Sequence, residues 1–499
     1  MKRNKISLSH YKLLTCNMGN LIPIAWYEAL PGDTIQQATS LLARVSPLQS
    51  PVMHPVRIRL HHWFVPYRLV WDDFENFITG GPTGIEEYAH PNHTVATVSQ
   101  GSLFDYLGVP TGTYSPELSI NALPNRAYQL IYNEHYRDQD LCPEAPISTA
   151  SGGDGITQSV LRRVAWEKDY FTTARPWEQK GADITIPIAG TAPVTGIGAA
   201  AATNFNQPST PVRESGPNDT TYTASQVADA AATQHFNFEE DPDNPGYPNI
   251  YADLSQATGI TVNELRESLA LQRFAEARAQ FGSRYIEYLR YLGVRSSDAR
   301  LQNPEYLGGG RQVISFSEVL QTQSSDTATT PLGTMGGHGI AAMRSNRYRR
   351  FFEEHGIVMT LMSVIPKAVY TQALHRKWHR FDNMMYFQKE LQYLGDQPVL
   401  SGEVNAAQTD RTTNFGYVPI YDDYRYHPSE VSGEFRNELN YWHYAREFAG
   451  DVALNQSFIE ANPTKRVNAD QNGDCLYIMA NHSIQARRMM AKNPSPRTF

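Results

Sequence analysis

Ten consecutive residues at 356–365, GIVMTLMSVI, constrain the fold more than any other segment of the chain. They are apolar at almost every position, so an extended strand formed by them has two apolar faces. Such a strand is typical of the centre of a sheet that is covered on both sides. Pro366 ends the run, because proline has no N–H to donate to a neighbouring strand. The segment therefore predicts a layered β structure.

Further strand-like segments are scattered along the chain. In PVRIRLHHWFV, Val56, Ile58 and Leu60 alternate with polar residues, which is the period of a half-buried strand. Similar patterns occur in ADITIPI, RQVISFSEVLQ and CLYIMANHSIQA. Long irregular segments separate them, and the regular βα alternation of a parallel sheet is absent. The chain is therefore predicted to be mainly β, a β-sandwich or jelly roll with long loop insertions and a few helices.

The longest predicted helix covers residues 261–292. Thr261 is suited to be its N-cap, and Glu264 can complete a capping box. Gly293 follows the last turn, where a helix favours a left-handed residue. Shorter helical segments are predicted at residues 71–79, 124–135 and 381–394.

The chain also suggests a domain organisation. Residues 1–50 have a basic beginning and no sustained period, so we expect an extended arm, with a frayed terminus as the alternative. Residues 51–499 are then expected to form a single domain. Within it, residues 189–250 are dominated by Ala, Thr, Gly, Pro, Asn and Ser, and we expect an exposed surface insertion. Residues 487–499 form a basic C-terminal tail.

Composition excludes several classes of protein. The net charge of −8 is not that of a globally basic nucleic-acid-binding protein, so any contact with DNA is expected to be local. The three cysteines, Cys16, Cys142 and Cys475, are far apart and suggest neither a disulfide framework nor a zinc site. No apolar run approaches the roughly 18 residues of a membrane span, and the N-terminal residues do not resemble a signal peptide.

Motifs for catalysis or cofactor binding are weak. His375 and His379 are spaced to share a metal on a helix, but Arg376 stands where a zinc protease has Glu. The acidic run at 239–243 resembles half a calcium loop, yet Ala252 occupies the position of its last ligand. No nucleophile elbow is present. We therefore expect no enzyme activity, no cofactor and no metal.

Two basic regions are candidates for DNA contact. The segment SNRYRRFF interleaves arginines with aromatic residues, a pattern suited to single-stranded nucleic acid, where bases stack and phosphates pair. The same pattern also suits cation–π packing at a protein interface. The basic N-terminal region is the other candidate. The DNA-contact candidates are Lys2, Arg3, Lys5, Lys12, Arg347, Arg349 and Arg350.

Several blocks of the sequence resemble a known family. They include TVNELR, GVRSSDARLQNPEYLGGGR, RLHHWFVPYRLVWDDFENFITGG, LPNRAYQLIYNEHYRDQDL, DYFTTARPWEQKG and EHGIVMTLMSVIPKAVY. In these blocks the chain is similar to the major capsid proteins of the Microviridae, small icosahedral single-stranded-DNA phages, in their gokushovirus-like branch. The matching blocks run from about residue 50 to residue 485, with a gap in the low-complexity insertion.

The resemblance implies a structural protein with an eight-stranded antiparallel viral jelly roll. It implies self-assembly into a T = 1 icosahedral shell around circular single-stranded DNA, with other virion proteins as partners. The insertion at 189–250 is expected to meet a host cell-surface receptor. The protein is expected in the virion, after synthesis in the cytoplasm of the host bacterium.

Broad interfaces between shell subunits are rich in Tyr, Trp and Arg. The subunit-interface candidates are Tyr128, Tyr132, Trp177 and Trp442. The alternative function is a β-sandwich module that binds glycans through exposed aromatic residues. Self-assembly distinguishes the two, because a glycan-binding module would remain a small oligomer.

Overall fold

The computed structural model describes residues 3–182, 184, 194–199, 212–215, 221–222, 251–252, 262–282, 284–322 and 332–490. Its strands are β1 (Asn4–Ser7), β2 (His10–Cys16), β3 (Ile22–Ala29), β4 (Thr34–Val45), β5 (Val56–Pro66), β6 (Asn92–Val98), β7 (Gly112–Asn121), β8 (Val194–Ala199), β9 (Val212–Ser215), β10 (Thr221–Tyr222), β11 (Tyr251–Ala252), β12 (Glu305–Val313), β13 (Ser315–Leu320), β14 (Met335–Arg344), β15 (Tyr348–Phe351), β16 (Gly356–Pro366), β17 (Asp396–Leu400), β18 (Asn414–Pro419) and β19 (Leu476–Arg488). Its helices are α1 (Phe74–Thr79), α2 (Leu103–Leu107), α3 (Leu123–His135), α4 (Val262–Phe281), α5 (Tyr285–Tyr291), α6 (Asp298–Leu301), α7 (Ser401–Val404) and α8 (Gln456–Ile459).

Two antiparallel sheets form a sandwich. The first sheet has the order β1-β19-β4-β14-β13, with β15 also paired to β4 and β2 paired to β19. The second sheet has the order β12-β5-β16-β3. Further two-stranded sheets, β6-β7 and β17-β18, lie in the segments between the sandwich strands. This mainly β, antiparallel architecture with few helices confirms the predicted fold class.

Strand β16 lies at the centre of the second sheet and is buried at every position. On one face, Met362 and Val364 pack against Leu41 of β4 and Ile478 of β19, so this face meets the first sheet. The opposite face of β16 is also covered, so both of the apolar faces predicted from the sequence are buried.

The opposite face of the second sheet packs against helix α3. Met359 and Leu361 of β16 share a core with Tyr128 and Ile131 of this helix. Pro124 lies in the first turn of α3, as predicted, because its missing N–H costs nothing there. The predicted helical turn around Phe74 is also present and ends at Gly80, which has the left-handed conformation.

The N-terminal region differs from the expected extended arm over residues 1–50. Residues 34–45 form β4, a central strand of the first sheet, and residues 22–29 form β3 in the second sheet. Gln37 and Thr39 point into the sandwich, where both are fully buried. These two polar residues interrupt the apolar alternation of β4, so the sequence lacks the period that usually identifies a strand.

The chain divides into two compact units. One comprises residues 1–178 and 279–499 and contains the sandwich. The other comprises residues 179–278 and contains an antiparallel sheet with the order β10-β9-β8-β11. This differs from the single domain expected over residues 51–499, because residues 179–278 pack mainly among themselves. Most of the expected insertion at 189–250, most of the strand predicted in ADITIPI and the tail after Met490 lie outside the described residues.

The long helix predicted over residues 261–292 is two helices. Helix α4 ends at Phe281, Gly282 has a φ of +91°, and α5 begins at Tyr285. A glycine with positive φ cannot continue a right-handed helix, so the chain turns there. Gly293 has a φ of +78° after α5, as predicted. Thr261 lies outside the described residues.

The segment at 381–394 also differs from its prediction as a helix. It contains only short 3-10 turns, at Asn383–Met385 and Glu390–Tyr393. The side chain of Asp382 does cap the first turn, accepting from the backbone N–H of Met384. The apolar residues of this segment have the spacing of one face of a helix. Most of them are nevertheless exposed, so no packing within the described chain stabilises a helix here.

Candidate assembly and nucleic-acid surfaces

Three segments that are distant in sequence meet on one face of the first sheet. Phe351 in β15 pairs with Thr34 in β4, Thr34 pairs with Arg487 in β19, and Arg487 pairs with Lys5 in β1. Directly paired residues of antiparallel strands have their side chains on the same face. Lys5, Arg487 and Phe351 therefore form a row across the sheet, and all three are exposed.

Two further cations join this row. Arg349 precedes Phe351 by two residues, so it lies on the same face, where it is exposed. The guanidinium of Arg3 lies over the ring of Phe351, 5.0 Å from its centroid. We call this surface the basic row and define it by Arg3, Lys5, Arg349, Phe351 and Arg487.

The basic row contains no carboxylate among its register partners. The positions paired with its members across the sheet are Thr34, Gln36, Gln485 and Ser7. The positive charges of the basic row are therefore not neutralised by the residues that are paired with them across the sheet. Guanidinium groups bind phosphates and an aromatic ring stacks with bases, so the arrangement suits single-stranded nucleic acid.

Lys12 does not belong to this surface, although it was a predicted DNA contact. Its ammonium group donates to the carbonyl oxygen of Pro23 over 3.2 Å and to that of Tyr106. Burial lowers the pKa of Lys12 to about 8. A half-buried ammonium held by two carbonyl groups has a structural role within the subunit.

The remaining predicted contacts have different surroundings. Arg350 forms an ion pair with Glu305, with 3.0 Å between Nη2 and Oε1, so its charge is balanced. Arg347 is exposed in the loop before β15. Lys2 lies outside the described residues.

Beyond the basic row, the same face of the first sheet carries an apolar patch. Leu13, Met479 and Leu42 form one register row. Leu13 is 76% exposed and Tyr11, on the same strand and face, is 69% exposed. A hollow of about 420 Å³ lies beside them, also lined by Tyr477. The sequence did not predict this surface, because alternation of apolar and polar residues in a strand does not show whether an outward face with apolar residues is covered by another part of the protein.

The predicted interface residues lie in two different environments. Tyr128 and Tyr132 are core residues, which does not fit an interface between subunits. The hydroxyl of Tyr128 donates to the carbonyl oxygen of Leu21 over 2.8 Å, so its polar group is also satisfied inside the subunit. Trp177 is 39% exposed and Trp442 is half-buried, so both remain accessible.

The histidine pair of HRKWH lies on a 3-10 turn. The ring of His375 stacks on that of His427, with centroids 4.5 Å apart, and its Nδ1 accepts from the backbone N–H of Lys377. Burial lowers the pKa of both His375 and His379. Among the described residues, no group of three His, Cys, Asp or Glu side chains is arranged to hold a metal ion.

An exposed aromatic segment was also missed. Residues 378–394 place a series of large apolar side chains at the surface, of which Phe381 is 88% and Tyr393 is 87% exposed. The sequence signal was present as a concentration of aromatic and Met residues. The prediction from these residues was a short helix, which says nothing about whether its side chains are covered.

Comparison with known proteins gives a consistent result. The family model described as "Capsid protein (F protein)" matches residues 1–493. Capsid protein VP1 of Bdellovibrio phage phiMH2K is 35% identical over 479 residues, covering 92% of this chain and 88% of that protein. Capsid protein VP1 of Chlamydia phage 1 is 31% identical and covers 93% of this chain and 90% of that protein. For capsid protein VP1 of Spiroplasma virus 4 the values are 30%, 92% and 87%.

These matches extend over nearly the whole chain, including both sheets of the sandwich. Capsid proteins are structural subunits that assemble into the shell of a virion, and the family points to such a role instead of catalysis. Within the described ranges, no helix combines the length and the apolar character needed to cross a membrane. The chain belongs to the capsid protein (F protein) family of the Microviridae.

Proposed function

We propose that the chain is the major capsid protein of a T = 1 icosahedral shell that encloses circular single-stranded DNA, with the basic row facing the DNA. The observation that carries the DNA contact is the register of β15, β4, β19 and β1, which gathers four cations around one exposed phenylalanine. Family membership supports the shell, and the basic row supports the nucleic-acid side.

A local basic surface matters in this chain because its net charge is −8. Phosphates are repelled by most of the subunit, so productive contact requires a patch where cations outnumber carboxylates. The basic row meets this requirement. Phe351 adds a stacking surface that a fully paired duplex cannot use, because its bases are already stacked.

The insertion at 189–250 is the proposed contact with a host cell-surface receptor. Its composition, rich in small and polar residues, supports a surface segment. Deletion of residues 195–245 is expected to leave shell formation intact and to impair attachment to the host. Loss of shells in this variant would mean that the segment is needed for assembly.

Other virion proteins are further partners, and synthesis takes place in the host cytoplasm.

The first experiment measures the size and the DNA content of particles purified from cells that produce this chain with its accessory virion proteins. Uniform small icosahedral shells that protect circular single-stranded DNA from nuclease are the expected result. A monomer or small oligomer would contradict the proposal and favour the glycan-binding alternative.

The DNA contact is tested separately in particles. The variant Arg349→Glu/Arg487→Glu is expected to form shells that contain much less DNA than the parent. Its matched control is Arg266→Glu/Arg273→Glu, which reverses two exposed charges on helix α4. Equal DNA content in all three particles would show that the basic row does not contact the genome.

A further inference from the structure

The aromatic segment, residues 378–394, exposes an unusual amount of apolar surface for a soluble subunit. Six of its side chains are between 53% and 88% exposed: Trp378, Phe381, Met384, Tyr386, Tyr393 and Leu394. Aromatic side chains present roughly 150–250 Å² each when fully accessible, so the four aromatic residues among them expose about 440–740 Å², to which Met384 and Leu394 add. Monomeric proteins rarely expose contiguous apolar patches larger than a few hundred Å².

The segment is held in a defined conformation. The guanidinium of Arg380 forms an ion pair with Asp423 and lies over the ring of Tyr424, 4.0 Å from its centroid. Further along, the ring of Phe387 packs on that of Tyr421 with centroids 5.3 Å apart. These contacts tie the segment to the turn that follows β18. A surface that is already ordered loses little conformational entropy when it binds a partner.

The backbone of the segment is tied to the same turn. The backbone N–H of Gln388 donates to the hydroxyl of Tyr421 over 3.2 Å. That hydroxyl in turn donates to the carbonyl oxygen of Met384 over 3.3 Å. The exposed side chains are therefore presented from a fixed backbone.

The charges within and beside the segment argue against nucleic acid as its partner. Counting Lys377, which immediately precedes the segment, the exposed charged residues are two cations, Lys377 and Lys389, and two carboxylates, Asp382 and Glu390. A surface without net positive charge gains nothing from the phosphate backbone. Equal numbers of both signs around an apolar centre do allow the surface to pair with another protein surface of the same kind.

The area of the patch fits one side of a protein interface. A specific interface of standard size buries about 800 Å² on each partner, close to the area that these side chains expose. Aromatic residues and Met are also the types enriched at the centres of such interfaces. Because a capsid contains many copies of one chain, the partner present in the greatest number at this surface is another copy.

We infer that residues 378–394 form a contact with a second copy of this chain and become buried when the shell assembles. This inference rests on the proposed shell function and assigns one of its subunit contacts to a specific segment. The contact is centred on Phe381 and Tyr393, the two most exposed aromatic residues of the segment.

Cysteine labelling tests the inference directly, because the three native cysteines are buried in the subunit. We would make Tyr393→Cys and Phe381→Cys and label each with a water-soluble maleimide, in intact shells and in subunits dissociated from the same shells. At least a tenfold slower reaction in shells is expected. A short bis-maleimide should then join two copies of this chain.

The outcomes separate the inference from the proposed function. Equal labelling rates in shells and subunits would overturn the inference while leaving the shell function intact. Cross-linking to a different virion protein would also overturn it, because the occupant would not be a second copy. Failure of the parent chain to form any shell would overturn the proposed function and, with it, the inference.

A substitution series covers the case in which a cysteine variant blocks assembly. Phe381→Asp/Tyr393→Asp is expected to fold with the thermal stability of the parent subunit and to form no shells. Ile85→Asp is the matched control, since Ile85 is 85% exposed and lies far from this segment in sequence. Normal shells from the double variant would contradict the inference.

Discussion

His482 and Thr39 meet between the two sheets of the sandwich, with 3.0 Å between the imidazole Nδ1 and the Thr39 hydroxyl oxygen. Both side chains are fully buried. The backbone N–H of Thr39 donates to the hydroxyl of Ser345 over 2.9 Å, and that hydroxyl lies 3.0 Å from Nε2 of His62. A chain of hydrogen bonds therefore connects two buried histidines across the core.

The two histidines predict an acid-sensitive stability. Burial lowers the pKa of His62 to about 4 and that of His482 to about 3, with the rings of His10 and His62 and the Lys12 ammonium also disfavouring charge on His482. The unfolded chain has a histidine pKa of about 6.5, so between these values it binds more protons than the folded chain. Stability therefore falls as the pH drops from about 6.5 towards 4.

Each buried histidine is expected to remove on the order of 3 kcal/mol of the unfolding free energy by pH 4. Urea unfolding of the subunit at pH 7 and pH 4 measures this loss. His482→Gln should show a smaller loss between the two pH values than the parent. The control His338→Gln changes an exposed histidine and should behave like the parent. An unchanged pH dependence in His482→Gln would contradict the assignment.

The buried ion pair between Arg126 and Asp154 gives a second prediction. Its Nε–Oδ2 distance is 2.7 Å, and neither side chain is exposed. Arg126 also donates to the carbonyl oxygens of Val70 and Ala150 over 2.9 and 3.0 Å. Burial raises the pKa of Asp154, but hydrogen bonds from Thr157 and Arg126 outweigh this and lower it.

Arg126→Met is expected to destabilise the subunit by about 3–5 kcal/mol, because it leaves a buried carboxylate without its partner. The control is Arg68→Met, which breaks a more exposed ion pair with Glu354 and should cost less than about 1 kcal/mol. Urea midpoints of both variants measure the difference. Similar small losses in both would show that the buried pair contributes no more than a surface pair.

A third prediction concerns the glycines of β12. A Cβ at Gly309 would lie 2.1 Å from the carbonyl oxygen of Leu60 on the neighbouring strand β5. That atom is backbone and cannot move without breaking the pairing of the two strands. Gly309→Ala is therefore expected to cost about 1–3 kcal/mol in urea unfolding, the range of overpacked sites. Gly153→Ala, where a Cβ meets no atom within 4 Å, is the control and should leave the midpoint nearly unchanged.

The sequence was most informative where one subunit buries its own side chains. The run at 356–365 predicted a strand covered on both faces, and β16 is that strand. The first sheet was harder to predict, because Gln37 and Thr39 occupy inward positions and hydrogen-bond to partners more than 300 residues away, Thr360 and His482.

Surfaces were predicted less well than the core, for a physical reason. An apolar pattern shows that a side chain avoids water, but it does not tell whether the cover comes from the same chain or from another copy. Tyr128 was therefore predicted at an interface although it lies in the core, and the helix predicted at residues 381–394 is a pair of short 3-10 turns with exposed apolar side chains. The basic row depends on the register of strands from both ends of the chain, which no local pattern encodes.

The last prediction concerns the salt dependence of DNA binding by the basic row. Dissociated subunits are titrated against a fluorescent single-stranded oligonucleotide at several salt concentrations. Each phosphate contact adds about 0.7 to the slope of log affinity against log salt, so Arg349→Gln/Arg487→Gln should reduce the slope by about 1.4.

Phe351→Ala separates stacking from charge in the same assay. It should weaken binding by about 1–3 kcal/mol with little change in the salt slope, because a stacked base releases no counterion. Arg266→Gln/Arg273→Gln is the control and should change neither quantity. If Phe351→Ala alters only the salt slope, its ring does not stack on a base. If the control changes the slope as much as the basic-row variant does, the cations act only through the general charge of the subunit. Either result would show that the register of β15, β4, β19 and β1 does not form the proposed binding surface.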